Sequence, residues 1–214
     1  MSKTNEHYTR TIADAHLTQG KANSEWAMLR SEWNRSIRSI DEILNLQDGV
    51  FAANGSPSAS LESQTIVDLY LWLVCLIEPF WSLATERQQI LKLALSPNLP
   101  CITTDSSALT HILVELLTNA CKYTPAGEMI TLSASLQSQE LSLCVANTGV
   151  EIPANQLPFI FEPYYRVPRN VHWQGDAIGL GLAFVNQLVD HIGATILVDS
   201  CVGRTMFTLL LPVS

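Results

Sequence analysis

Hydrophobic positions along this chain recur at two spacings, and each change of spacing marks a new element. Over residues 23–46 no Pro or Gly interrupts, and Trp26, Leu29, Trp33, Ile37, Ile40, Ile43 and Leu44 return every three or four residues, which predicts a helix. Asp48-Gly49 ends it, and residues 52–60, AANGSPSAS, form a linker by composition. A short strand over 63–68, a helix over 70–89 and a strand over 90–94 are predicted next, followed by a loop over 96–104. Asp105-Ser106-Ser107 offers N-cap chemistry for a helix that carries residues 111–122, and Pro125-Ala126-Gly127 stops it. Alternating runs over 129–135 and 141–146 predict adjacent antiparallel strands. Residues 154–178 keep no period and predict a short helix and a mobile lid, before a helix over 179–192 and strands over 195–200 and 205–211.

The helix over 111–122 has two chemically distinct faces. Ile112, Leu113, Leu116, Leu117 and Ala120 make an apolar stripe, and His111, Glu115, Asn119 and Lys122 a polar one. An acid, an amide oxygen and an ammonium one turn apart are what a magnesium triphosphate requires from one helix. Any amphipathic surface helix shows a similar stripe, and Glu115 could equally pair with His111 or Lys122 as an i, i+4 neighbour. The run Gly179-Leu180-Gly181-Leu182, at the start of a helix, suits close approach of phosphate oxygens to backbone N–H groups; tight lid-to-helix packing is the competing reading.

Composition narrows the class. The 214 residues leave room for one good core and an appendage, and 47% hydrophobic content excludes general disorder. A net charge of −8, from 12 basic and 20 acidic residues, argues against a nucleic-acid surface. The longest apolar run stops at Glu78-Pro79, well short of the roughly 20 residues that span a bilayer. The polar start, MSKTNEHYTRT, lacks a signal-peptide core, so a cytoplasmic location and no membrane segment are expected. Cys75, Cys101, Cys121, Cys144 and Cys201 form no CxxC pair and are expected to be buried reduced thiols. The histidines His7, His16, His111, His172 and His191 show no metal-ligand spacing.

The order of further segments carries a family resemblance. ELLTNACKYTP at 115–125 is followed by VANTGVEIP at 145–153, FIFEPYYRV at 159–167, GLGLAFV at 179–185 and GRTMFTLLLP at 203–212. Over residues 62–214 the chain resembles the ATP-binding domain of sensor histidine kinases, in the class shared with DNA gyrase B, and within it bacterial two-component kinases, many of them cyanobacterial. The resemblance implies an α/β two-layer sandwich, a mixed sheet with helices on one face. It divides the chain into residues 1–60, a helical segment and linker, and 61–214, an ATP-binding domain. It implies ATP and Mg as cofactors, with Asn119 as the magnesium ligand and Glu115 as general base. Lys122 and Arg166 would approach the phosphates, and Tyr123 would lie near the nucleotide. Asn147 and Gly149 would meet adenine, Gly179, Leu180, Gly181 and Leu182 would form the phosphate loop, and Thr205 would support the adenine-binding side chain.

Three departures bear on activity. Asn147 stands where the family commonly has aspartate, so its carbonyl accepts from adenine without charge assistance. Glu151 and Asp176 stand at positions where glycine is frequent. The family's phospho-accepting histidine signature is missing: residues 29–47 look like the second helix of a dimerisation region, while competing alignments place Ser31 or His7 at the acceptor. The expected function is transfer of the ATP γ-phosphoryl group to a histidine not evident in this chain. The partners would be a response regulator or a histidine-bearing dimerisation domain, with homodimerisation through the N-terminal helix. A degenerate, non-catalytic nucleotide-binding or regulator-binding module is the alternative, and a serine/threonine kinase of the anti-sigma type a third.

Overall fold

The computed structural model describes residues 64–167 and 179–213. The predicted helix over 23–46, the linker over 52–60 and residues 168–178, with Asp176, lie outside the described residues. The described elements run β1 (Gln64–Asp68), α1 (Leu69–Glu86), β2 (Ile90–Leu95), β3 (Cys101–Asp105), α2 (Ser106–Tyr123), β4 (Met129–Gln137), β5 (Glu140–Thr148), α3 (Gly181–His191), β6 (Thr195–Cys201) and β7 (Arg204–Pro212). A single 3-10 turn, Leu157–Phe159, interrupts the stretch after β5.

Five strands form one mixed sheet in the order β2-β4-β5-β7-β6, with β2 parallel to β4 and every other pair antiparallel. Alternation decides which face is covered. Ile130, Leu132 and Ala134 on β4, Leu141, Leu143 and Val145 on β5, and Phe207, Leu209 and Leu211 on β7 are buried, while their neighbours along each strand are less so. Register sets Leu132 opposite Val145 and Val145 opposite Phe207, so the rows merge into one apolar floor. The helices cover that floor: Leu73, Leu76 and Ile77 of α1, Ile112, Leu113, Leu116 and Leu117 of α2, and Val185 and Val189 of α3 are all buried. The expected two-layer α/β sandwich is present.

Two polar residues keep the inward phase of these rows. Asn147 follows Leu141, Leu143 and Val145 in step, and Thr205 precedes Phe207, Leu209 and Leu211 in step. They are cross-strand partners and only 6% and 2% exposed, so the apolar floor ends in a buried polar pair.

The structure corrects the sequence reading in several places. The stretch predicted as a loop over 96–104 contains β3, which pairs antiparallel with β1 in a separate two-stranded sheet. Its CITTD sequence has the β-branched content and alternation of a strand but is too short to stand out after Pro97 and Pro100. Helix α1 stops at Glu86, short of the expected residue 89, because Gln88 takes a left-handed φ of 57°, whereas α2 begins at Ser106 behind an Asp105 N-cap, as expected. Helix α1 runs through Pro79 and is long and apolar enough to cross a membrane by length and composition. Leu69, Leu73, Leu76, Ile77, Phe80 and Ala84 on it are buried, and the core helix of a folded domain meets the same criterion. None of the five cysteines forms a disulfide, but only Cys121 is buried, where burial pushes its thiol up to about 11; Cys101 and Cys201 fall on outward phases of their strands and are exposed.

Candidate nucleotide site

Helix α2 is held at both ends before any site chemistry is considered. The Asp105 carboxylate accepts from the Ala108 N–H at 3.0 Å, satisfying a donor that the first turn leaves open. At the other end, Gln89 Nε2 and Arg87 Nη1 donate to the Cys121 carbonyl at 2.9 and 3.2 Å, and Gln89 also reaches the Thr124 carbonyl. The polar stripe is thereby fixed in direction. Asn119 Nδ2 donates to Glu115 Oε1 at 3.2 Å. A carboxylate only accepts, so the Asn119 NH2 faces Glu115 and its Oδ1 turns the other way. Burial pushes the Glu115 carboxyl above its ordinary value, against the opposing pull of the Asn119 hydrogen bond and the Lys122 charge.

Helix α3 lies antiparallel along the same stripe. Asp105 and His191 approach to 3.3 Å, the His111 and Phe184 rings meet edge to face at 6.5 Å, and Glu115 abuts Gly181. The N-terminus of α3 has no side-chain cap among the described residues, which leaves its N–H donors open at the end where Glu115 and Asn119 stand. Burial pulls the His111 imidazole below its ordinary value, and the Asp105 charge opposes this.

Gly179 and Gly149 carry backbone demands that Gly181 does not. Gly179 has φ +80°, and a Cβ there would meet the Tyr164 and Tyr165 backbone at 3.0 Å. Tyr164 N donates to the Gly179 carbonyl at 2.8 Å, so the aromatic segment and the second glycine run are clasped together. Gly149 has φ +77°, and a Cβ there would press on Glu128 and Pro125 at 2.6 and 2.9 Å. Its loop is strapped to the turn between β6 and β7. Gly149 N donates to the Gly203 carbonyl at 2.7 Å, Gly203 N to Glu151 Oε2 at 3.1 Å, and Ile152 N to Ser200 Oγ at 2.7 Å. Thr205 Oγ1 donates to the Val150 carbonyl at 3.1 Å and shares a 2.8 Å bond with Ser200 Oγ. The Thr205 hydroxyl thus holds the loop, while Asn147, opposite it, keeps an amide that no hydrogen bond among the described residues uses.

The structure therefore brings Glu115, Asn119 and Gly181 into one cluster and Asn147, Gly149 and Thr205 into another. Lys122 Nζ sits 5.4 Å from the Tyr123 ring centroid. Leu180 is buried and Leu182 half-buried beside Gly181. Arg166 is exposed, and no hydrogen bond or ion pair among the described residues ties it to α2. Sequence reasoning missed Ser200, Gly203, Glu128 and Gln89. Each acts across 20 or more residues of separation, Glu128 through its carboxylate on the Thr148 hydroxyl, and no local pattern announces such a contact. A groove of about 520 Å³ opens beside the Gly149 loop, lined by Glu128, Thr148, Gly149, Cys201, Val202, Gly203 and Arg204. It includes none of the residues on α2.

Residues 104–214 match the family model described as histidine kinase-, DNA gyrase B- and HSP90-like ATPase. The adaptive-response sensory kinase SasA of Rippkaea orientalis is 28% identical over 208 residues, which cover 94% of this chain and 52% of that protein. Among solved structures, full-length ShkA in complex with AMPPNP superposes with a TM-score of 0.64 at 26% identity, covering 92% of this chain and 40% of the other. Histidine kinase ThkA in complex with the response regulator TrrA superposes at 0.61 and 15% identity, over 92% of this chain and 52% of the other, a likeness of fold. The chain spans about half or less of the length of the curated relatives it matches.

Proposed function

The chain belongs to the histidine kinase-, DNA gyrase B- and HSP90-like ATPase family and carries an ATP-binding domain of the sensor histidine kinase kind, and from this we propose that it binds ATP with magnesium and transfers the γ-phosphoryl group to a histidine on a dimerisation helix. The observation that carries the reading is the Glu115–Asn119 hydrogen bond, which turns a hard oxygen, Asn119 Oδ1, away from the carboxylate beside the open N-terminus of α3. That oxygen would hold the magnesium ion, which when bound offsets charge between the phosphates. The uncapped N–H groups of α3 would receive phosphate oxygens, and Lys122 adds positive charge close by. Glu115, held above its ordinary value by burial, would take the proton from the attacking nucleophile. Asn147 is largely buried, and its amide, which no hydrogen bond among the described residues uses, suits the adenine edge, with Gly149 allowing the backbone to come near.

The finer assignments rest on the same ground. Arg166, Tyr123, Gly179, Leu180, Leu182 and Thr205 complete the nucleotide site. Likeness to SasA over 94% of the chain reaches well before Gln64, which supports reading residues 1–60 as part of a dimerisation region joined to an ATP-binding domain over 61–214. A response regulator, a histidine-bearing helix and a second copy of this chain are the partners, in the cytoplasm.

Calorimetric titration with ATP and ADP, with and without magnesium, tests the proposal. Binding is expected to strengthen with magnesium and to weaken on Asn119→Asp; no binding at millimolar nucleotide would sink the reading, and unchanged binding by the variant would remove Asn119 as the ligand. Transfer is tested with γ-labelled ATP and a supplied dimerisation domain. Acid-labile label on that domain is expected, and its absence after proven binding would favour a non-catalytic nucleotide-binding module.

A further inference from the structure

We propose that Gly181 is a positioning residue for Asn119 that acts through Glu115: the side chain it lacks leaves the seat in which the Glu115 carboxyl lies, and that carboxyl sets the sense of the Asn119 amide. The inference rests on the reading of Asn119 as the magnesium ligand and assigns the second glycine of the GLGL run a task other than phosphate approach.

A Cβ on Gly181 would stand 1.8 Å from Glu115 Oε1, 2.5 Å from its Cδ and 3.2 Å from its Cγ, and Glu115 supplies all three of the nearest atoms. The backbone itself does not call for glycine here. Gly149 and Gly179 have φ of +77° and +80°, whereas Gly181 is outside the left-handed region and opens α3, where alanine is the better helix former. What excludes a methyl group is therefore the carboxyl arriving from α2. That same oxygen, Oε1, accepts from Asn119 Nδ2. Alanine at 181 meets the flexible end of a side chain, so the helix forms and Glu115 swings out. Asn119 then has no acceptor to hold its NH2, and either end of the amide can face the cation. A donor facing a cation is no ligand. Loss of an outer partner to a metal ligand typically weakens metal affinity about 10- to 100-fold.

The test compares nucleotide Kd in magnesium and in EDTA for wild type, Gly181→Ala, Glu115→Ala and the double variant, with thermal unfolding to show that each is folded. Gly181→Ala is expected to cut the gain in affinity from magnesium, read as the ratio of the EDTA to the magnesium Kd, by about 10- to 100-fold. Glu115→Ala, which removes the acceptor with residue 181 intact, should reproduce the loss, and the double variant should be no worse than Glu115→Ala alone. Equal weakening with and without magnesium, or additive losses, would overturn the proposal in favour of direct phosphate approach. A second readout needs no nucleotide: the Asn119 side-chain amide signals in NMR should shift in both single variants, and unshifted signals would also overturn it. If wild type binds no nucleotide, the functional reading fails, while the amide signals still decide whether Gly181 seats Glu115.

Discussion

His111 Nε2 is buried without a hydrogen-bond partner, and Asp105, itself engaged by His191, is the charge that faces it. Burial lowers the folded-state value below the ordinary 6.5, so the unfolded chain takes up a proton before the folded one does. The neutral ring's contribution to stability is complete above 6.5 and declines as pH falls through that value toward the lower folded one. Thermal unfolding of wild type should therefore fall off between neutral pH and pH ~5.5 more steeply than that of His111→Leu, with His191→Gln as control. Gly179→Ala is expected to cost about 1–3 kcal/mol, since φ +80° and backbone atoms at 3.0 Å leave nothing flexible to yield; denaturant unfolding measures it. At this scale the sequence was most legible on α2, where Glu115 and Asn119 fall one turn apart and meet as spacing demands. The seat at Gly181 was not legible, because 66 positions' worth of chain separate it from Glu115 and GLGL reads equally well as a phosphate loop.

Among the elements, α2 owes its start to Asp105, which caps the helix and also meets His191 in the last turn of α3. Asp105→Ala should cost about 1 kcal/mol through the lost cap, and Asp105→Asn, which can still cap, should recover most of it. Equal losses in the two variants would show that the His191 pair matters more than the cap. Strands β4 and β5 were readable from alternation and β7 as a strand over 205–211; in the structure their apolar rows share one inward face. What alternation could not show is that Asn147 and Thr205 share the end of that face, since register between distant strands depends on the whole sheet. The short β3 was lost for a related reason: its partner, β1, comes from before α1, and five residues carry too little pattern without it.

For the whole molecule, the covered sheet and its three helices supply an apolar core built from the described residues, 64–167 and 179–213. Deleting residues 1–60 should leave a cooperatively unfolding domain with nucleotide affinity close to that of the full chain, by thermal unfolding and titration. The full chain should associate through the apolar stripe of Trp26, Leu29, Trp33, Ile37 and Ile40, and light scattering that shows a monomer at every concentration would refute this. Fold class was legible from the order of segments, but the strand order β2-β4-β5-β7-β6 was not, because periodicity carries no information on crossovers. The bond from Tyr164 N to the Gly179 carbonyl bears on how such a molecule can diverge. With the two ends joined at one point, doubling the length of chain between them adds only about 0.6 kcal/mol of closure entropy. Chain of altered length or sequence between those two residues is therefore expected to leave the frame around it little changed.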